Sequence, residues 1–217
     1  MWEKLESLKK IEETGILLMI RLDSEDEAMK VAEAAIKGGI LALEITMSVP
    51  NALGIVKKLS EKYKEKGLVI GVGTVLDPET ARAAILAGAN MLVSPNLNPE
   101  MIKMGKRYQT VIISGAFTPT EIVNTIEAGA DIVKLFPTEF IGPAYVKTVK
   151  GPLVQAAIMP SGGVTLENAG EWLQAGSTCL GVGSGITKAA QKDGDYTKVT
   201  KAAELFLKVV KESRQNN

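Results

Sequence analysis

Short apolar runs rich in β-branched residues recur along the chain, and amphipathic stretches separate them. The runs are Ile16–Ile20, Leu41–Met47, Leu68–Thr74, Met91–Ser94, Thr110–Ala116, Asp131–Phe136, Ala156–Met159 and Cys179–Gly183. Their starts lie 19 to 27 residues apart, room for one strand, one helix and two short loops. Glu25–Lys37 carries Ala28, Val31, Ala32, Ala35 and Ile36 on one helical face, and Pro99–Tyr108 shows the same period. Glycines stand where these helices should end, at Gly38-Gly39, Gly67, Gly88, Gly129 and Gly176, as a left-handed C-terminal cap requires. The corner Leu86-Ala87-Gly88-Ala89-Asn90 returns as Glu127-Ala128-Gly129-Ala130-Asp131 and Gln174-Ala175-Gly176-Ser177-Thr178. Asp195–Asn217 reads as a last helix followed by a polar tail expected to fray.

Eight strands alternating with helices, each strand apolar on both faces, predict a parallel sheet. Eight repeats in a chain of 217 residues suit an α/β fold of one closed (β/α)8 TIM barrel, residues 1–217 forming a single domain. An open doubly wound sheet is the competing arrangement. It calls for a glycine-rich first turn, whereas the first strand runs into Arg21-Leu22-Asp23-Ser24.

Composition narrows the chemistry. Lys+Arg and Asp+Glu both number 25, which gives no electrostatic case for nucleic acid or an anionic membrane. There are no histidines, which removes Ser-His-Asp and Cys-His catalysis and His-ligated zinc; no metal site is expected. One cysteine, Cys179, permits no intrachain disulfide. The start Met1-Trp2-Glu3-Lys4-Leu5 lacks the apolar core of a signal peptide, and no apolar run approaches a membrane span. The expectation is a cytoplasmic protein.

Two charges interrupt otherwise apolar strands. In Leu41–Met47 the period of two puts Leu41, Leu43 and Ile45 on the helix-packing face and Ala42, Glu44 and Thr46 in the lumen. In Asp131–Phe136, Val133 and Leu135 face out while Ile132, Lys134 and Phe136 face in. Glu44 and Lys134 thus share the lumen, each toward the C-terminal end of its strand, where barrel enzymes carry their chemistry. Desolvation disfavours a charged lysine there and favours a nucleophilic amine. A structural ion pair plugging the barrel is the alternative, although buried pairs stabilise poorly.

Two glycine-rich turns follow the last two strands: Met159-Pro160-Ser161-Gly162-Gly163-Val164 and Gly181-Val182-Gly183-Ser184-Gly185. With each opening a helix, they suit a phosphate, Ser161 and Ser184 adding donors; the plainer reading is a pair of tight turns. Gly71-Val72-Gly73-Thr74 reads as a place of close substrate approach, with Thr74 as a hydroxyl donor. A lysine that forms a Schiff base with a ketone creates an electron sink, so a C–C bond two atoms away can break, with Glu44 as acid/base. The residues therefore point to a cofactor-free Schiff-base lyase acting on a small phosphorylated keto compound.

Leu43-Glu44-Ile45-Thr46, Gly71-Val72-Gly73-Thr74-Val75, Ser94-Pro95, Val133-Lys134-Leu135-Phe136-Pro137, Pro160-Ser161-Gly162-Gly163-Val164 and Gly183-Ser184 occur in that order. From about Ile11 to Lys188 the chain resembles the 2-keto-3-deoxy-6-phosphogluconate aldolases, which include the bifunctional 4-hydroxy-2-oxoglutarate aldolases. The resemblance implies a class I aldolase on a (β/α)8 barrel with an extra N-terminal helix over residues 1–14, usually a homotrimer. It implies cleavage of 2-dehydro-3-deoxy-6-phosphogluconate to pyruvate and glyceraldehyde 3-phosphate. It makes Lys134 the Schiff-base lysine, Glu44 the proton-transferring carboxylate, Thr74 a carboxylate contact, and Pro95 and Phe136 pocket walls. Gly162, Gly163 and Ser184 would hold phosphate. Many relatives have an arginine where this chain has Ser48, and Ser161 stands where they often have threonine. Arg21 is a substitute cation for the carboxylate or a surface arginine. The galactonate epimer as substrate, another phosphate-binding barrel enzyme and an idle barrel serving as a scaffold are the rival readings.

Overall fold

The protein is described by a computed structural model covering residues 2–215. Its strands are β1 (Ile16–Ile20), β2 (Ala42–Thr46), β3 (Val69–Gly73), β4 (Met91–Val93), β5 (Val111–Ala116), β6 (Ile132–Leu135), β7 (Ile158–Pro160) and β8 (Leu180–Val182). All pairings are parallel, in the order β7-β6-β5-β4-β3-β2-β1-β8. A single bridge, Ser161 to Gly181, joins β7 to β8 and completes the (β/α)8 barrel, so the open-sheet alternative falls.

The helices are α1 (Glu3–Thr14), α2 (Glu25–Lys37), α3 (Ala52–Lys62), α4 (Pro78–Leu86), α5 (Pro99–Arg107), α6 (Pro119–Ala128), α7 (Pro143–Lys150), α8 (Ala169–Gln174), α9 (Ser184–Thr187) and α10 (Thr197–Gln215). Asp77, Asn98 and Thr118 cap α4, α5 and α6 through side-chain oxygens that accept from backbone N–H groups, and proline follows each where its missing N–H does no harm. The repeated corner works as expected at Gly88, Gly129 and Gly176, where φ is 95°, 101° and 99°. Of the Gly38-Gly39 pair only Gly39 is left-handed, at φ 98°. The next corner residue ties neighbouring strands: Asn90 Oδ1 accepts from Ile70 N at 2.9 Å and Asp131 Oδ2 from Ile112 N at 2.7 Å.

Strand parity divides the interior in two. Leu18, Leu43, Ile45, Val133 and Leu135 pack outward under the helices. Leu17, Ala42, Val69, Met91, Val111, Ile132 and Cys179 fill the lumen. The helix α1 closes the N-terminal end, its Ile11 fully buried against that lumen cluster and its Lys4 paired with Asp131 at 2.9 Å. At the same end Arg214 of α10 donates to Glu13 O at 2.8 Å and Thr178 O at 3.0 Å. Met1 and the tail residues Asn216 and Asn217 lie outside the described residues. No helix among the described residues is long and apolar enough to cross a membrane.

Candidate active site

Strand β2 turns Glu44 into the lumen and β6 turns Lys134 toward it, as their alternation predicts, and both are almost fully buried. Lys134 Nζ lies 3.7 Å from Glu44 Oε1 and 3.6 Å from Met19 Sδ, with the Phe136 ring centroid at 5.6 Å. At 3.7 Å the pair is close enough for strong attraction yet longer than a hydrogen bond, so the amine is not locked to the carboxylate. Glu44 Oε2 has no hydrogen-bond partner among the described residues. Burial pushes the Glu44 carboxyl above the ordinary range, and the positive charges of Lys134 and Arg21 pull it partly back. A carboxyl so tuned is suited to both taking and returning a proton.

The space for that carboxylate comes from β3. A Cβ at Gly73 would sit 2.6 Å from Glu44 Oε1, and one at Gly71 would sit 2.6 Å from Met91 Cε. These glycines, read from the sequence as a place of close substrate approach, make room for two lumen side chains of the protein itself.

Above the pair opens a cavity of about 310 Å³. Lys134 and Phe136 line its base, and Ser161, Gly162, Gly163 and Ser184 line its far side, with Arg21, Thr46, Glu139 and Lys188 around them. Five stretches of the chain therefore converge here: the ends of β1 and β2, β6 with its following turn, and the turns after β7 and β8. Thr74, Ser48 and Pro95 do not line this cavity: Ser48 is exposed and shares a hydrogen bond of 2.9 Å with Thr46, and Thr74 is left-handed at φ 61°. Thr46 occupies the wall where Thr74 and Ser48 were expected to reach.

The glycine turns differ from expectation in two ways. Strand β7 extends through Pro160, and Ser161 forms the closing bridge, so Ser161 is a buried strand-end residue whose hydroxyl meets Met19 Sδ at 3.2 Å. The Gly162–Gly163 turn does not open a helix directly, since α8 starts only at Ala169. Its backbone is shaped by two left-handed residues, φ 99° and 72°, so N–H groups rather than a helix dipole are its resource for an anion. Gly183–Ser184 does lead into α9, a helix of four residues.

Arg21 continues the inward parity of Leu17 and Met19, and it enters the cavity without a carboxylate partner among the described residues. Lys188, one turn beyond Ser184, does the same. The sequence places Thr46 in the lumen without marking it as a cavity residue, and it passes over Glu139 and Lys188. The parity of β2 and the i,i+4 spacing from Ser184 to Lys188 were the available signals; for Glu139 there was none. No cluster of three or more acidic or cysteine side chains converges as a metal would need among the described residues.

A cavity of the same volume lies at the opposite end, between α1 and α3, lined by Lys10, Tyr63 and Asn90 among others. Two of its polar groups are engaged within the fold: Lys10 donates to Gly67 O, and Asn90 bonds Leu68 O and Ile70 N. Nothing there resembles a reactive constellation.

Comparison with known proteins identifies the family and the fold. The family described as KDPG and KHG aldolase matches residues 8–202. The 2-dehydro-3-deoxy-6-phosphogalactonate aldolase of Escherichia coli K12 is 33% identical over 201 residues, 92% of this chain and 96% of the relative. The 2-dehydro-3-deoxy-phosphogluconate aldolase of Pseudomonas aeruginosa is 34% identical over 206 residues, 94% and 93% of the two chains. Among solved structures, KDPG aldolase from Legionella pneumophila, with pyruvate captured at low pH as a covalent carbinolamine intermediate, superposes with a TM-score of 0.82. Its identity is 26%, over 91% of this chain and 96% of that one.

Proposed function

The chain belongs to the KDPG and KHG aldolase family, and from that premise we propose that it cleaves 2-dehydro-3-deoxy-6-phosphogluconate to pyruvate and glyceraldehyde 3-phosphate. The observation that carries the reading is Lys134, paired with the buried Glu44, lining a cavity that the Gly162–Gly163 turn also lines. The uncharged Lys134 amine adds to the C2 ketone, and loss of water leaves a protonated Schiff base. Ionised Glu44 takes the C4 hydroxyl proton, directly or through water, and that oxygen becomes the aldehyde carbonyl as the C3–C4 bond breaks. The bonding electrons pass to the iminium and form an enamine. A proton returned to C3 and hydrolysis of the imine release pyruvate and regenerate the lysine.

Backbone N–H groups at Gly162 and Gly163, the Ser184 hydroxyl and the Lys188 cation serve the phosphate, and Arg21, whose charge acts on Glu44, serves the keto-acid carboxylate. Phosphate binding far from the broken bond holds the ketone over Lys134, converting remote binding energy into orientation. Thr74, Pro95 and Ser48 follow the ends of β3, β4 and β2 outside the lining of this cavity. The same arrangement serves the C4 galactonate epimer, which one close relative's name carries. An unphosphorylated substrate, 4-hydroxy-2-oxoglutarate, is the secondary one. The reading takes residues 1–217 as one catalytic domain, cytoplasmic and homotrimeric, the trimer resting on the family resemblance; light scattering reporting a monomer at micromolar concentration would remove it.

The test is turnover of both C4 epimers, with intact mass measured after borohydride treatment in the presence of pyruvate. A single reduced pyruvate adduct on Lys134 and turnover of the gluconate form are expected. An adduct on another lysine would overturn the mechanism; turnover of the galactonate epimer alone would overturn the substrate.

A further inference from the structure

The phosphate end of the cavity holds a negative charge that the reaction does not use. Glu139 belongs to the 3-10 turn Thr138–Phe140 after β6, and two contacts clip that turn to the glycine turn. Thr138 N donates to Ser161 O at 3.0 Å, and Thr138 Oγ1 donates to Gly162 O. A Cβ at Gly162 would lie 3.4 Å from Glu139 Cγ and Oε1, and one at Gly163 would lie 3.3 Å from Glu139 Cα and Cγ. The side chain therefore rests on the glycine turn, and it lines the same cavity as Lys134. Glu139 is in no ion pair among the described residues, although Arg21 and Lys188 border the same space.

An ionised carboxylate only accepts hydrogen bonds, and so do the oxygens of a phosphate dianion; the two do not bind each other. A polyhydroxy keto-acid phosphate spanning the cavity offers donors only through its hydroxyls. In the mechanism above, the hydroxyl on the carbon of the breaking bond gives its proton to Glu44. With the phosphate at the glycine turn, the next hydroxyl, beside the phosphoester carbon, would lie between the two, on the side where Glu139 rests on that turn. Resting on the phosphorylated-substrate reading above, we propose that Glu139 is a specificity-determining residue that accepts a hydrogen bond from the substrate hydroxyl beside the phosphoester carbon. It selects a hydroxylated aldehyde phosphate over its deoxy counterpart and takes no part in bond cleavage.

The experiment runs the reaction toward synthesis, adding pyruvate to one of three aldehydes. These are glyceraldehyde 3-phosphate, freshly deprotected 3-oxopropyl phosphate, which lacks the hydroxyl, and glyoxylate, which lacks hydroxyl and phosphate. Wild type should favour the hydroxylated phosphate over the deoxy one by about tenfold in kcat/KM, the scale of a solvent-exposed hydrogen bond to a charged acceptor. In Glu139→Ala that ratio should fall toward one, mainly through KM; in Glu139→Gln, which keeps an acceptor oxygen, part of it should survive. Rates normalised to glyoxylate and a thermal unfolding curve separate this from a damaged fold, which lowers all three aldehydes together. An unchanged ratio in Glu139→Ala, or no preference in wild type, would overturn the role of Glu139 and leave the phosphate reading standing. Use of glyoxylate with rejection of both phosphates would overturn the two together.

Discussion

The same eight strands build two unlike halves of one lumen. Along β1 the inward positions run from Leu17 through Met19 to Arg21; along β2 from Ala42 through Glu44 to Thr46; along β6 from Ile132 through Lys134 to Phe136. The N-terminal half is apolar and sealed by α1, and each large side chain buried there contributes roughly 1.5–3 kcal/mol. The C-terminal half gathers the charges, the glycines and the opening. Two potential nucleophiles make the contrast concrete. Cys179 sits in the sealed half, where burial pushes its thiol up to about 12, and nothing reaches it. Lys134 is nearly as buried, yet it has a carboxylate at 3.7 Å and a cavity above it. Burial is common to both. The neighbour and the opening separate an inert group from a usable one.

Removing the nucleophile should break that contrast most severely. Lys134→Ala is expected to lose turnover by about 10⁴-fold or more and to give no borohydride-trapped pyruvate adduct. If one specific site were still labelled, the usable nucleophile would lie elsewhere.

Glu44→Gln tests the neighbour. Turnover should fall by about 10²–10⁴-fold while trapping with pyruvate persists, because imine formation and proton transfer are partly separable. Burial raises the Glu44 carboxyl, so it keeps its proton to higher pH than an exposed glutamate. If its ionised form takes the hydroxyl proton, wild-type kcat should fall as pH drops through that raised value, giving an acid limb above the ordinary carboxylate range that the variant lacks. Turnover within about threefold of wild type would remove Glu44 from the chemistry.

The opening is sharpened by the phosphate end. Ser184→Ala should lose about 10- to 150-fold in kcat/KM for the phosphorylated substrate, the equivalent of roughly 1.5–3 kcal/mol for a bond to a charged oxygen. Gly163→Val adds bulk at a residue with φ 72° whose Cβ would meet Glu139, and it should lose at least as much. Both should change far less with 4-hydroxy-2-oxoglutarate. Equal losses on the two substrates in a well-folded Ser184→Ala protein would move the phosphate from this turn.

The sealed half should show the smallest effect and only on stability. Cys179→Ala removes one buried sulfur and is expected to destabilise by about 1 kcal/mol in denaturant unfolding, with kcat and KM unchanged. A kinetic effect there would join the two halves that the geometry separates.

Much of this contrast is written in the chain at a period of two. Glu44 and Lys134 stand out because a charge in a strand buried on both faces is unusual, and alternation alone tells which face each takes. The glycine corners that end the helices were legible for a similar reason, since each depends on residues within a few positions of one another. The end of β7 was not. Proline cannot donate, so Pro160 read as the start of a turn, whereas the ladder continues on carbonyl oxygens and on Ser161 N, which donates to Leu135 O at 3.0 Å.

Local pattern determined the number of strands, their inward faces and the pair of opposite charges in the lumen, because pleating and helical period act over neighbouring residues. Only the closed barrel decided that Glu139 rests on the Gly162–Gly163 turn, that Gly73 makes room for the Glu44 carboxylate, and that Thr46 rather than Thr74 walls the cavity. Those relations join loops and strands distant in sequence, and their distances follow from strand register and the angle at which each turn leaves the barrel. No spacing of letters encodes a distance across the lumen; it exists once eight strands have closed around it.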